Sequence, residues 1–226
     1  MPDWGSRCGL LVSGFLCMSA STPIIFVIDD DVSVRESLEL LFRHEGWKSE
    51  TFPSAQDFLE RPPALVPSCL VLDVSLPGIS GLELQSRMSK EQADMPIIFI
   101  TGNGDIPMTV RAMKAGAVEF LTKPFTTEML LSAIQQALER SRAGLSEREE
   151  IRELRDRFST LSPRESEVMM LVVTGLLNKQ VGAELGISEI TVKAHRGRVM
   201  QKMKAGSFAD LVQIAARLRL ERPRGG

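Results

Sequence analysis

No stretch of this chain approaches the roughly 18 to 20 consecutive apolar residues that a membrane-spanning helix needs. Cysteine is scarce: Cys8, Cys17 and Cys69 are an odd count without paired spacing, which gives no disulfide framework. His44 and His195 are the only imidazoles, which argues against a His-rich metal site. What the chain has is an ordinary soluble composition. Hydrophobic residues make up 43% of 226 positions, far from the disordered class. At about 150 residues per domain, the length suggests one large domain or two smaller ones.

Charge favours two. The formal net charge is only −2, but it is unevenly spread. Residues 1–140 carry 11 basic and 18 acidic side chains, residues 141–158 five of each, and residues 159–226 carry 11 basic and six acidic. An acidic front, a balanced middle and a basic rear predict two domains joined by a linker. The basic rear hints at a polyanionic partner.

In the front part, short and nearly continuous apolar runs recur at Ile24–Ile28, Cys69–Leu72, Ile97–Ile100 and Val118–Leu121, as strands buried on both faces require. A weaker strand fits at about Lys48–Phe52. Helical patterns alternate with them: Val34, Leu38, Leu41 and Phe42; then Leu82, Leu84 and Met88; then Val110, Met113 and Lys114; and a last helix at about Thr127–Arg140. Alternation of this kind predicts βαβ units and a doubly wound, five-stranded parallel sheet. Open sheets of this class bind ligands beyond the carboxyl ends of their strands. There stand Asp29, Asp30 and Asp31, then Asp73, then Thr101, then Lys123 and Pro124. A strand-end acid such as Asp31 can simply cap the helix that follows. Crowded carboxylates, however, repel one another, and a hard cation is their natural neutraliser. With a Lys and a Thr nearby, the set suits Mg²⁺ and a phosphoryl group.

The pattern "VIDDD…LVLDVSLPGISG…IFITGNGD…FLTKPF" resembles the flavodoxin-like, CheY-like receiver domain of two-component response regulators over about residues 24–140. The spacings agree: 43 residues from Asp30 to Asp73, 28 from there to Thr101, and 22 more to Lys123. The resemblance implies that Asp73 accepts a phosphoryl group from a sensor histidine kinase. It implies that Asp29, Asp30 and Asp73, with the backbone carbonyl of Ser75, hold Mg²⁺. It further implies that Thr101 and Lys123 bind the new phosphoryl oxygens, that Phe120 is an aromatic switch, and that Lys123–Pro124 is a cis peptide. In relatives of this type the face over Ile106–Glu119 forms a homodimer on phosphorylation; the bland alternative is an ordinary half-buried helix.

Residues 141–158 are charge-rich, and Ile151, Leu154, Phe158 and Leu161 step by 3, 4 and 3, as heptad positions do. Two heptads do not sustain a coiled coil alone, so a helical linker is expected that extends the preceding helix or docks on a domain.

Residues 159–226 read as a smaller all-α domain. Ser162-Pro163-Arg164-Glu165 forms a capping box, and Asn178, Ser188 and Ser207 open further helices. A short helix, a Gly-containing turn and a basic helix make a helix-turn-helix. On the basic helix, Val192, Val199 and Met203 point one way, and Lys193, Ala194, Gly197, Arg198 and Gln201 the other. Small residues among long polar ones let a helix approach base edges. "NKQVGAELGISEITVKAH" is similar to the LuxR-type DNA-binding domain of the NarL/FixJ response regulators, over about residues 159–220. By position, Lys193, Ala194 and Gly197 fall where relatives touch bases, with Arg198 and Gln201 supplementing a glycine where relatives often have a larger residue. Asn178, Lys179, Thr191 and Lys202 are expected on DNA phosphates. His195 is expected to be packed or phosphate-bonding rather than metal-binding.

Together the resemblances imply a FixJ-like transcription factor, not an enzyme: Asp73 is phosphorylated, the protein dimerises and binds double-stranded promoter DNA, and RNA polymerase is a further partner. Two rivals remain, a phosphatase acting through Asp73 and a phosphorylation-independent DNA binder. The expected location is cytoplasmic and away from membranes. "CGLLVSGFLCMSAST" does look like an export signal behind Arg7. But its apolar run is short, Asp3 weakens its positive flank, and Met18 offers a simpler start. Residues 1–22 are therefore expected to be loose and dispensable.

Overall fold

Short β-branched runs form the strands, and amphipathic stretches cover them. The computed structural model describes residues 22–91, 95–102 and 104–220. The expectation of a loose tail over residues 1–22 lies, but for Thr22, outside the described residues. The chain divides into two units, residues 1–141 and 142–226.

In the first unit the elements alternate: β1 (Ile24–Ile28), α1 (Val32–His44), β2 (Lys48–Phe52), α2 (Ala55–Glu60), β3 (Ser68–Asp73), α3 (Gly81–Glu91), β4 (Ile97–Thr101), α4 (Ile106–Lys114) and β5 (Glu119–Thr122). All pairings are parallel, in the order β2-β1-β3-β4-β5. β3 is buried at every position, as a central strand covered on both faces must be. One side packs Ile25, Val27, Val71, Ile98 and Ile100 under α1 and the first half of α5 (Thr127–Ser159). The other side packs Phe26, Leu70, Leu72 and Phe99 under α2, α3 and α4. Cys69 is fully buried, and burial pushes its thiol up to about 12.

The structure adds one element to the sequence reading and orients the faces of another. Six-residue α2 was not foreseen; Ser54 caps it, accepting a bond from the Asp57 N–H. In α4, Val110 and Met113 do not face the core. Ala112 does, with no exposure, while Ile106 (82%), Val110 (43%) and Met113 (41%) form an exposed apolar stripe.

The expected linker is helical throughout: α5 runs unbroken for 33 residues. Leu130, Ile134 and Leu138 belong to the first unit's core, and Leu154 to the second unit's. That second core also holds Leu161, with Phe158 packed against it. The second unit continues with α6 (Pro163–Val172), α7 (Asn178–Leu185), α8 (Glu189–Lys202) and α9 (Phe208–Arg217). Their starts follow the sequence signals, with Ser162, Ser188 and Ser207 as side-chain caps; α7 instead follows Leu177, whose N–H donates to Gln180 Oε1 at 2.8 Å.

Candidate functional site

Strand register builds the first site. β1 and β3 align Ile28 with Leu72, so Asp29, just past β1, and Asp73, the last residue of β3, stand side by side at the sheet edge. Asp30 follows at the surface, and the three carboxylates offer oxygens that all lie within 4.8 Å of one another. Among the described residues no other group of three or more acidic, His or Cys ligands comes together. β4 and β5 align Thr101 with Thr122, which delivers Lys123 at the same edge, its N–H bonded to the Thr101 carbonyl at 2.7 Å. The Lys123–Pro124 peptide is cis.

Lys123 Nζ donates to Asp29 Oδ2 at 2.9 Å and to Asp73 Oδ2 at 3.2 Å. The Asp31 N–H holds Asp29 Oδ1 at 2.9 Å, and the Ser75 N–H holds Asp73 Oδ1 at 2.9 Å. Arg35 Nη1 donates to the Asp29 carbonyl at 2.6 Å, pinning the turn one helical turn into α1. Asp31 indeed caps α1, accepting from the Ser33 N–H. Burial is the largest influence on Asp29 and raises its carboxyl, against the opposing bonds from Lys123 and the Asp31 N–H. Burial pulls the Lys123 ammonium down, but the Asp29 and Asp73 carboxylates outweigh it and hold it above the ordinary amine value. Three carboxylates face one ammonium, and the donor set is all oxygen. It fits a hard divalent cation.

Thr101 is fully buried, and Phe120 packs on Phe99 with ring centroids 6.1 Å apart. Two glycines that sequence reasoning did not single out shape this region. A Cβ on Gly104 would stand 2.9 Å from Phe120 Cε1 and 3.1 Å from Thr101 Cγ2. A Cβ on Gly81 would stand 2.6 Å from the Asp73 carbonyl oxygen. Both lie in glycine-bearing stretches, "TGNGD" and "PGISG", the second ending at the first residue of α3, which is the only signal the sequence offers for them. Beside the carboxylates a cleft of roughly 490 Å³ is lined by Ser33, Val34, Leu38, Lys123, Pro124 and Phe125 among others.

The second site is the helix pair α7–α8. Gly186 ends α7 with φ +67°, the left-handed conformation that glycine accepts freely. Gly182 lets the chain fold back: its missing Cβ would lie 2.7 Å from the Ile187 carbonyl oxygen. Val181, Val192, Val199 and Met203 are buried, and Lys193, Ala194, Gly197, Arg198 and Gln201 are all exposed on the opposite side of α8. Asn178 Oδ1 accepts from Arg196 Nη1 at 3.2 Å, and that guanidinium lies over the Phe208 ring at 4.6 Å. Lys179 and Thr191 are exposed, and the Thr191 N–H bonds the Ser188 cap. His195 is half-buried, its Nδ1 enclosed without a hydrogen-bond partner.

Lys202 is placed differently from the expected phosphate contact. Its ammonium donates to Glu165 Oε2 at 2.7 Å and to the Thr160 carbonyl at 2.9 Å. The amine is engaged within the unit, because Glu165 is buried and needs a counter-charge. Glu165 also closes the capping box with Ser162, and Lys202, then the Ser162 N–H, hold its carboxyl down at about 2.

Comparison with known proteins agrees with both halves. Residues 25–135 match the family model of the response regulator receiver domain, and residues 159–215 match that of bacterial regulatory proteins of the luxR family. The chain is 52% identical to nodulation protein W of Bradyrhizobium diazoefficiens over 200 residues, 88% of each chain. Among solved structures, response regulator StyR is similar at 49% identity with a TM-score of 0.74, covering 87% of this chain and all of that one. Full-length FixJ from B. japonicum is similar at 40% identity with a TM-score of 0.52, over 87% of this chain and 97% of that one.

Proposed function

Because this chain belongs to the two-component response regulators of the FixJ type, transcription factors that join a receiver to a LuxR-type DNA-binding domain, we propose that Asp73 is its phosphoacceptor and that phosphorylation there controls DNA binding. The observation that carries the reading is the meeting of Asp73 with Asp29, Asp30 and Lys123 at the carboxyl edge of the sheet. An Asp73 carboxylate oxygen attacks phosphorus in line; its O–P bond forms as the P–N bond to the kinase histidine breaks, and the imidazole leaves. The Asp29, Asp30 and Asp73 carboxylates and the Ser75 carbonyl would hold Mg²⁺, which would supply positive charge beside the phosphoryl oxygens. Lys123, already held between two carboxylates, turns its donors to the added phosphoryl group. The cleft beside Lys123 and Phe125 seats the phosphohistidine-bearing kinase next to Asp73.

The product adds about −1.5 to −2 charge at the sheet edge. The Thr101 hydroxyl moves to a phosphoryl oxygen, and Phe120 takes the space it leaves. The α4 stripe of Ile106, Val110 and Met113, with β5 out to Glu119, then forms a homodimer. The paired helical units place two α8 helices in successive major grooves of a palindromic promoter, where Lys193, Ala194, Gly197, Arg198 and Gln201 meet bases and Asn178, Lys179 and Thr191 meet phosphates. The protein works in the cytoplasm with RNA polymerase and has no catalytic turnover. A phosphatase of the nucleophile-x-Asp kind is disfavoured, since Val74 and Ser75 follow Asp73. The test is intact-mass analysis after incubation with a small phosphodonor and Mg²⁺. One phosphoryl group is gained by the wild type and none by Asp73→Asn; labelling of both to the same extent sinks the assignment.

A further inference from the structure

We infer that Ile190 is a specificity-determining residue of the DNA site, reading the 5-methyl group of a thymine in the major groove. The inference rests on the DNA-binding reading of α8 and deepens it. Ile190 is 80% exposed, although burying such a side chain stabilises a protein appreciably. It does not belong to the second unit's core, which takes Val192 and Val199 from α8 and Met203 from its C-cap, with Met200 packed beside them. Its position is fixed, because Ser188 caps α8 two residues earlier and accepts the Thr191 N–H at 3.2 Å.

The helix places Ile190 at the centre of the proposed contact face. Ile190, Ala194, Gly197 and Gln201 stand at i, i+4, i+7 and i+11, within a sector of about 60° at 100° per residue. Ala194 rises only to Cβ, and a Cβ added at Gly197 would meet nothing within 4 Å. The middle of the face is thus low and apolar, with exposed Lys193 and Arg198 on its flanks. Cationic flanks suit phosphates and guanine edges. The apolar centre needs an apolar partner, and in the major groove only thymine presents one, its C5 methyl. The first turn of a recognition helix is the part that meets base edges, and Ile190 is its second residue.

The experiment uses the full chain, treated with phosphodonor and Mg²⁺, to select duplexes from a random pool. Wild type and Ile190→Ser are compared; the exposed position leaves the fold intact, which circular dichroism checks. Wild type should select half-sites with a fixed thymine, and replacing it by deoxyuridine, which removes only the methyl, should weaken binding about three- to tenfold, the scale of one buried methyl. Ile190→Ser should lose the thymine and be indifferent to deoxyuridine. The inference is overturned if both proteins select the same motif with the same deoxyuridine response, or if wild type selects no fixed thymine; DNA binding by α8 then still stands. Failure of the wild type to enrich any sequence would sink the DNA-binding reading and this inference with it.

Discussion

At the scale of single residues, the proposed switch turns on what is missing at Gly104. Phe120 and Thr101 approach this backbone so closely that no side chain fits without displacing one of them. Gly104→Val should accept a phosphoryl group on Asp73 within a few-fold of the wild-type rate, because the carboxylate cluster is untouched. It should, however, lose at least about tenfold in phosphorylation-dependent dimerisation, measured by sedimentation velocity. Wild-type dimerisation would show that Phe120 and Thr101 do not couple the two events. In the second unit the same steric logic applies to Gly182, where an added methyl meets the Ile187 carbonyl oxygen; Gly182→Ala should destabilise the helical unit by about 1–3 kcal/mol in denaturant titrations. Neither close approach is legible in sequence. The atoms that crowd Gly104 come from β4 and β5, and only the folded sheet brings them there.

At the scale of elements, the Glu165–Lys202 pair ties the start of α6 to the end of α8. The folded state holds the Glu165 carboxyl at about 2, below its ordinary 4.5, so the pair stabilises the unit above pH 4.5. That contribution is lost as pH falls through about 4.5 toward 2. Amide hydrogen exchange in α6 and α8 should quicken over this window in the wild type, and much less in Glu165→Gln. An equal response in both would show that the pair does not hold the two helices together. For α4, Ile106→Asp places a carboxylate on the exposed stripe and should weaken dimerisation by at least about tenfold without loss of monomer stability. Sequence periodicity made most of these elements legible. Apolar runs located four strands and a weaker pattern the fifth, and Ser162, Ser188 and Ser207 located three helix starts. Three things escaped it. A six-residue helix such as α2 is too short to show a period. Periodicity in α4 marks an apolar face without saying whether that face meets the sheet or solvent. The amine of Lys202 sits on a basic helix, and its engagement by Glu165 depends on a partner 37 residues away.

At the scale of the whole chain, charge divides the labour: residues 1–140 are acidic and hold the carboxylate cluster, while residues 159–226 are basic and hold α8. Binding to duplex DNA should therefore fall steeply with salt, and Lys179→Ala should lower the slope of log K against log salt by about 1. Lys202→Ala should leave that slope unchanged, since its ammonium is engaged by Glu165 and Thr160. Among the described residues no helix is long and apolar enough to cross a membrane. The central claim is that chemistry at Asp73 governs what α8 does. Its most direct test is a titration of a selected duplex with the full chain, with and without a small phosphodonor and Mg²⁺. The account predicts an affinity rise of about tenfold or more on phosphorylation, accompanied by dimerisation and absent in Asp73→Asn. Equal affinity with and without the phosphodonor, or an equal rise in Asp73→Asn, would contradict it.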